Sequence, residues 1–191
     1  QDFIDAIEPA ISAMEEPRYN HSVPAYWLLA REASKDVVVI LNGSGGDELF
    51  MGYSRYEVSK KISDRLRSPW WRIGYALKGV HDPLSQWAYV HAINRNTSRI
   101  SDYLLALRYP RVQNALSDRE NAIAEYDRLF WLADEEFLRT DKISMHFGME
   151  GRFPLLAREL RQLANSIPSE QKGFSKKILR EAYVDRLPKY I

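Results

Sequence analysis

An unbroken run of five apolar residues, Val37 to Leu41, sets the narrowest limit on how this chain can fold. A strand with one face in water alternates apolar and polar residues, whereas a continuous run predicts a strand covered on both faces, as in a parallel sheet. The sequence shows no second run of equal strength, yet a lone strand leaves its backbone hydrogen-bonding groups unpaired. We therefore expect the partner strands to lie upstream of residue 1, in a longer protein.

The rest of the chain predicts helices and loops, so the expected fold class is α/β and mostly helical, with one clear buried parallel strand. Apolar residues recur at helical spacing in several segments, and proline or capping residues mark the helix starts. Helices are predicted over residues 2–15, with a break near Pro9, over 22–34, over 137–148 after Asp134, and over 175–186. Further helix starts are predicted at Ser68 and Asp82 and at a capping box formed by Ser117 and Glu120.

Composition excludes several classes of protein and of site. The 27 basic and 26 acidic side chains nearly cancel, which argues against a nucleic-acid-binding surface. The chain has no cysteine, so disulfides, thiolate catalysis and cysteine-bound metals are excluded. No two of the four histidines have the spacing i, i+3 or i+4, which argues against a zinc site. With no signal peptide and no apolar stretch long enough to span a membrane, we expect a cytoplasmic protein.

The turn after the predicted strand has the composition of an anion-binding site. Glycines let backbone N–H groups approach an oxyanion, and the first turn of the following helix offers unpaired donors. Two carboxylates there would repel a phosphate unless a divalent cation lies between, and Mg²⁺ commonly combines carboxylates with phosphate oxygens. A tight turn with an acidic helix start explains the same residues without a ligand, and both interpretations stay open here. The predicted nucleotide-binding residues are Asn42, Gly43, Gly45 and Gly46, and the predicted metal ligands are Asp47 and Glu48.

The same segment also fits, loosely, a serine hydrolase in which Ser44 is the nucleophile on a sharp strand-to-helix turn. Asn42 stands where the first glycine of that motif is usual, and the fold would need further strands that the sequence does not predict. The triad partners would come from His81, His91 or His146 and from Asp82, Asp118 or Asp141.

A second charged cluster surrounds a predicted helix and the loop after it. Asp141 shares a helical face with Leu138 and Met145, and a carboxylate on an apolar face must be paired or must serve a site. Glu150 and Arg152 follow, just before a proline. A buried ion network of Asp141, Lys142, Glu150 and Arg152 would explain this cluster without a ligand.

A third cluster is basic and lies on the last predicted helix. Lys176 and Arg180 are four residues apart on one face, where they can donate charge-assisted hydrogen bonds to phosphate. For Lys172 and Lys177 we favour a solvated basic face.

Three motifs, in this order along the chain, together resemble the synthetase domain of the glutamine-dependent asparagine synthetase family. Residues 39–53 resemble that family's glycine-acid motif, which ends in Asp-Glu, an apolar pair and Gly-Tyr. Residues 141–154 resemble its second motif, and residues 176–180 resemble its Lys-x-x-Leu-Arg motif. The resemblance covers essentially the whole chain and is weakest over residues 55–130.

The resemblance implies a mostly helical part of an adenine-nucleotide alpha-hydrolase-like domain, of the PP-loop ATP pyrophosphatase type. It also implies a carbon-nitrogen ligase of asparagine biosynthesis, in which Mg-ATP activates the carboxylate of aspartate or a similar small molecule as an acyl-adenylate. Ammonia that a separate glutaminase domain releases from glutamine would then attack the acyl carbon. On this view Asn42 and Gly43 contact the nucleotide and Asp47 binds Mg²⁺.

The resemblance also gives expected roles to three catalytic residues. Lys176 would steady the pyrophosphate and the charge of the transition state. Glu150 and Arg152 would orient the substrate or neighbouring residues of the site.

The chain departs from the family pattern at two positions. Ser44 stands where the family usually has Glu or Asp, a residue implicated in intermediate formation or in handling the proton of ammonia. Because a hydroxyl cannot act as a base at neutral pH without help, this step or the substrate is expected to differ. Ala157 stands where an Asp is usual.

The chain also lacks two family elements, the Ser-Gly-Gly-x-Asp-Ser pyrophosphate loop and a cysteine to begin a glutaminase domain. We therefore expect residues 1–191 to be a partial synthetase domain that is inactive alone, with both elements upstream. A homodimer is compatible with the sequence, and a non-catalytic relative of the family remains an alternative.

Overall fold

The computed structural model describes residues 2–16, 20–80, 85–87, 89–90, 118–186 and 188. The chain divides into two compact units. Unit 1 comprises residues 1–44 and 130–157, and unit 2 comprises residues 45–129 and 158–191. The predictions made for His81, Asp82, His91 and Ser117 fall outside the described residues.

The described residues are mostly helical, as predicted. The α-helices are α1 (Asp2–Asp5), α2 (Ile7–Met14), α3 (Val23–Ala33), α4 (Gly46–Leu49), α5 (Ser54–Arg65), α6 (Pro69–Ala76), α7 (Arg119–Tyr126), α8 (Leu138–His146), α9 (Arg158–Ser166), α10 (Ser169–Lys172) and α11 (Lys177–Ala182). A π-helix, Asp127–Phe137, joins α7 to α8, and a short 3₁₀ helix covers Pro154–Leu156. The strands are β1 (Val39–Leu41) and β2 (Glu150–Arg152).

Unit 1 is built around a two-stranded parallel sheet. Val39 pairs with Glu150 and Leu41 with Arg152, which confirms the predicted parallel strand and supplies a second strand that the sequence did not predict. Helices α2, α3 and α8 pack against one another, and Ile40 joins the apolar cluster that they form. The second strand escaped prediction because Glu-Gly-Arg has neither an apolar run nor strand-forming residue types.

The predicted burial of the strand on both faces is wrong for this chain. Val39 is 37% exposed and Leu41 is 74% exposed, whereas Ile40 between them packs into the cluster of unit 1. Because neighbouring side chains of a strand point to opposite faces, one face of β1 is packed and the other is open. A continuous apolar run predicts a strand with both faces buried, but the described residues of unit 1 cover only one face of β1.

Unit 2 is helical, and α7 contacts both α4 and α5. Its buried side chains include Leu49, Met51, Tyr56 and Ile123. Asp118 is the N-cap of α7 and accepts a hydrogen bond from the backbone N–H of Asn121 at 2.8 Å, so the predicted Ser117 cap is one residue too early.

Other predicted helix bounds also need correction. The chain is helical from Arg119 to His146 without the predicted new start after Asp134, because the π-helix carries the backbone through that segment. The last helix, α11, covers six residues rather than the predicted 175–186. No helix among the described residues is both long enough and apolar enough to cross a membrane.

Candidate functional site

In unit 1, a side-chain turn shapes the segment that follows β1. The Asn42 Oδ1 atom accepts hydrogen bonds from the Ser44 backbone N–H at 2.8 Å and from the Ser44 Oγ at 2.6 Å. The Asn42 N–H donates to the Arg152 carbonyl at 2.7 Å, which extends the ladder between the strands by one bond. Asn42 therefore fixes the turn from its own side chain, as asparagine commonly does.

Ser44 also contacts a carboxylate that the sequence analysis did not select. Its Oγ lies 3.2 Å from the Oε1 atom of Glu136, near the end of the π-helix. The same Oε1 accepts a hydrogen bond from the Tyr26 hydroxyl at 3.0 Å, and Oε2 forms an ion pair with Arg139. Glu136 thus lies in a shell of donors beside the turn.

The contacts of Ser44 do not favour a serine hydrolase. Within the described residues its Oγ is hydrogen-bonded to Asn42 and Glu136, and His146 is exposed with its ring against Phe147. Ser44 is absent from the residues with positive φ, whereas Gly45 has a φ of 92°. The left-handed conformation of the turn therefore falls on a glycine, which adopts it without strain, and not on the serine as in a nucleophile elbow.

Glu150 and Arg152 lie next to each other on β2 as an exposed ion pair, with 3.0 Å between Glu150 Oε1 and Arg152 Nε. The Arg152 guanidinium donates a hydrogen bond that lowers the pKa of Glu150, so the carboxylate stays charged. The charged groups of both side chains lie at the surface of unit 1, where they are accessible to a ligand.

The predicted buried ion network around Asp141 is wrong. Asp141 is exposed, and Met145 on the same helical face is 57% exposed, so this face does not bury the carboxylate. Lys142 instead pairs with Glu15 of unit 1, and its ammonium lowers the pKa of that carboxylate. The side of α8 that faces the core carries Ile143 and Ser144 instead.

In unit 2, the acidic motif and the last basic motif meet. Gly45 is the N-cap of α4, and Asp47 lies in the first turn of that helix. The Asp47 Oδ2 atom lies 3.0 Å from the Lys176 Nζ, and both side chains are partly exposed, at 28% and 37%. An ammonium and a carboxylate are therefore presented together at the surface of this unit.

The backbone around this pair is held in unusual conformations. Met51, Ser175 and Lys176 all have positive φ, at 55°, 55° and 58°, a region that costs of the order of 1 kcal/mol or more for residues other than glycine. The Ser175 N–H donates to the Met51 carbonyl at 2.8 Å, which ties the two strained segments together. A Cβ on Gly52 would lie 1.8 Å from Asp47 Oδ1 and 2.7 Å from Lys176 Cε. The pair thus depends on the absence of a side chain at position 52.

Glu48 points away from the surface. Its residue is 3% exposed, its Oε1 accepts a hydrogen bond from the Tyr53 hydroxyl at 3.0 Å, and burial raises the pKa of the carboxyl to about 7. The Oε2 atom is buried, with no hydrogen-bond partner among the described residues. To bind a cation at the surface, Glu48 would have to leave Tyr53, and its role as a metal ligand stays a prediction.

The basic cluster divides into buried and exposed members. Lys172 is 1% exposed and donates to Asn121 Oδ1 at 2.6 Å, so the predicted solvated face is wrong for this residue. Burial lowers the pKa of Lys172 to about 8. Lys177 and Arg180 are exposed, and of the four only Lys176 is placed against a residue of the acidic motif.

The donor chemistry near Asp47 suits a magnesium-bound phosphate better than a metal held by protein alone. No group of three or more His, Cys, Asp or Glu side chains is arranged for a metal within the part of the chain that the structure describes. Mg²⁺ bound through one carboxylate takes its other ligands from phosphate oxygens and water. Asp47 fits that role, because it is partly exposed and next to a lysine that would favour the same phosphate.

Sequence reasoning missed two residues of these sites, Glu136 and Gly52. Gly52 was visible in the Gly-Tyr of the first motif, and a glycine beside strained backbone signals a close approach. Glu136 had no such signal, because a π-helix changes which side chains share a face and periodicity does not reveal it.

Comparison with known proteins gives a consistent result. The profile of a family described as asparagine synthase matches residues 1–191. Asparagine synthetase [glutamine-hydrolyzing] 1 of Bacillus subtilis is 23% identical over 100% of this chain and 35% of its own length. Asparagine synthetase [glutamine-hydrolyzing] 3 of the same organism is 26% identical over 98% of the chain and 30% of its own length.

A Mycobacterium tuberculosis protein that is provisionally named asparagine synthetase [glutamine-hydrolyzing] is 25% identical over 100% of the chain and 34% of its own length. The chain therefore spans about a third of the length of these curated relatives. No solved structure matches it.

Proposed function

Because this chain belongs to the asparagine synthase family, we propose that it supplies the amide-forming machinery of an ATP-dependent ligase. The substrate is a small-molecule carboxylate, aspartate or a similar acid, which ATP activates as an acyl-adenylate with release of pyrophosphate. Ammonia released from glutamine by a glutaminase domain of the whole protein then replaces AMP. We take the domain type to be that of the PP-loop ATP pyrophosphatases and the location to be cytoplasmic.

The observation that carries this proposal is the contact between Asp47 and Lys176. The two residues belong to motifs that are far apart in the sequence, yet their charged atoms lie 3.0 Å apart over Gly52. Binding a nucleoside triphosphate requires a carboxylate that can hold Mg²⁺ and, beside it, an ammonium group that can contact phosphate. A structural ion pair would not need three residues in strained backbone to hold it at the surface.

The roles of the remaining residues follow from their positions in each unit. In unit 1, Asn42 and Gly43 lie after β1, where the nucleotide is expected, and Glu150 and Arg152 present charges for the carboxylate substrate. In unit 2, the buried Gly45 and Gly46 start helix α4, whose first turn carries Asp47.

Mg²⁺ held by Asp47 would neutralise phosphate charge during adenylate formation. Lys176 stabilises the charge that develops on the leaving pyrophosphate. Its partly exposed ammonium, already held beside Asp47, needs little reorganisation to reach a phosphate oxygen.

The test is pyrophosphate release by the whole protein supplied with Mg-ATP, ammonium and L-aspartate. Asp47→Asn removes the charge that holds Mg²⁺, and we expect at least about a 100-fold loss of release. Asp64→Asn is the matched control, because Asp64 is an exposed acid of unit 2 that pairs with Lys60 on helix α5. Wild-type rates in Asp47→Asn would refute the assignment, as would an equal loss in the control.

A further inference from the structure

We propose that Glu136 supplies, through Ser44, the proton-accepting carboxylate that the glycine-acid motif of this chain lacks. This inference rests on the proposed function and deepens it, because it concerns the attack of ammonia on the activated carboxylate. Glu136 acts through the serine hydroxyl and is therefore a positioning residue, while Ser44 is the group that contacts the nitrogen.

The first support is the geometry around the serine. The Ser44 hydroxyl has two acceptors within reach, Asn42 Oδ1 at 2.6 Å and Glu136 Oε1 at 3.2 Å, but it has one proton to donate. The backbone N–H of Ser44 also donates to Asn42, which holds the turn whichever way the hydroxyl rotates. The hydroxyl can therefore turn toward Glu136 without disturbing the turn.

The second support is how Glu136 is held. Its side chain is 16% exposed and lies between two other donors, the Tyr26 hydroxyl at 3.0 Å and the guanidinium of Arg139. The Arg139 guanidinium also lies over the Tyr26 ring, 4.8 Å from its centroid, which fixes both donors relative to each other. The ion pair with Arg139 orients the carboxylate, and an oriented carboxylate is what a relay to a serine requires.

The third support is that a carboxylate lies beside the serine that stands in place of the usual acid. A hydroxyl at position 44 cannot take a proton at neutral pH without a stronger base beside it. The structure places a carboxylate against that hydroxyl, carried by a segment about 90 residues away. Glu136 lies near the end of the π-helix, and π-helical turns recur at functional sites.

The proposed step balances. The nitrogen lone pair of ammonia forms the new C–N bond at the acyl carbon, and the C–O bond to AMP breaks with its electron pair leaving on AMP. One N–H proton passes to Ser44 Oγ while the original hydroxyl proton of Ser44 passes to Glu136 Oε1. Ser44 ends unchanged, Glu136 ends protonated, and the proton is then released to water.

The experiment separates the two half-reactions in the whole protein, with L-aspartate and ammonium as probes. Adenylate formation is followed by aspartate-dependent ATP–pyrophosphate exchange, and the second step by asparagine formed. For Glu136→Gln and Ser44→Ala we expect about a 100-fold loss of asparagine formation, with exchange within about twofold of wild type. Glu135→Gln, on the neighbouring residue that accepts from Asn20, is the matched control and should leave both rates unchanged.

Rescue distinguishes a relay from a structural ion pair. The double variant Ser44→Glu with Glu136→Gln moves the carboxylate back into the motif, and asparagine formation should recover at least about tenfold over Glu136→Gln alone. No rescue, an equal loss of both half-reactions in Glu136→Gln, or asparagine formation within about threefold of wild type would each overturn the proposal. If the wild-type protein shows no ATP–pyrophosphate exchange that depends on L-aspartate or on a similar small acid, the proposed function itself fails, and the inference fails with it.

Discussion

The carboxylate of Asp47 and the ammonium of Lys176 lie 3.0 Å apart, although 129 positions separate the two residues in the sequence. The contact passes over Gly52, where a Cβ would overlap both side chains. It also depends on a backbone in which Lys176 itself has a φ of 58°. Two motifs and one glycine thus define one charged surface within unit 2.

A side chain at position 52 should break this pair. In Gly52→Ala the new Cβ would meet Asp47 Oδ1 at 1.8 Å, so one of the two side chains must move by more than an ångström. A displacement of that size at a reacting group costs about 100-fold in rate, and we expect this loss in aspartate-dependent pyrophosphate release. Gly74→Ala is the control, because a Cβ there meets nothing within 4 Å, and it should keep the wild-type rate.

The buried ammonium of Lys172 should make stability depend on pH. Burial lowers its pKa from 10.5 to about 8, so between these values the unfolded chain holds more protons than the folded one. Stability should therefore rise as the pH increases from about 8 to about 10.5, by up to about 3 kcal/mol in total. Below pH 8 the Lys172 ammonium is charged in both the folded and the unfolded chain, so the folded chain bears the full free-energy cost of burying it. Above pH 10.5 the side chain is neutral in both states.

Thermal melting of wild type and Lys172→Met across this interval measures that effect. The wild type should gain stability relative to Lys172→Met as the pH rises, while the exposed Lys177→Met should follow wild type throughout. A constant difference between wild type and Lys172→Met would contradict the assignment of a depressed pKa.

Residues 1–191, expressed alone, should not catalyse amide formation. Asp47 and Lys176 present charge to one side of a triphosphate, whereas attack in line at the α-phosphorus requires it to be held from both sides. The chain contains no Ser-Gly-Gly-x-Asp-Ser loop to supply the second side. Pyrophosphate release with Mg-ATP, L-aspartate and ammonium should match that of its Asp47→Asn variant, and turnover above this background would show that the chain is self-sufficient.

The open face of β1 should make the isolated chain associate. Val39 and Leu41 are 37% and 74% exposed on a strand that has one sheet neighbour in the described residues, and such edges recruit further strands or apolar surfaces. Light scattering should show concentration-dependent oligomers that weaken in the double variant Val39→Thr with Leu41→Thr. Leu77→Thr, at an 86% exposed position of unit 2, should associate as wild type does. Equal association of all three would place the contact elsewhere.

Much of the local structure followed from residue types alone. The apolar run predicted a parallel strand, the positions of prolines predicted helix starts at α3 and α6, and three motifs identified the family. These features are local, since they depend on spacing and on the backbone preferences of single residues. The same reasoning selected Asn42, Asp47 and Lys176 as candidate site residues but could not say which of them are in contact.

The tertiary structure decided what the local pattern left open. It paired β1 with a strand of sequence Glu-Gly-Arg, buried Lys172 where a solvated face was expected, and exposed Asp141 where burial was expected. It also brought Glu136 to Ser44, through a π-helix that no periodicity signals. Each of these outcomes depends on contacts between residues far apart in the chain, and such contacts are set by packing rather than by the identity of neighbouring residues.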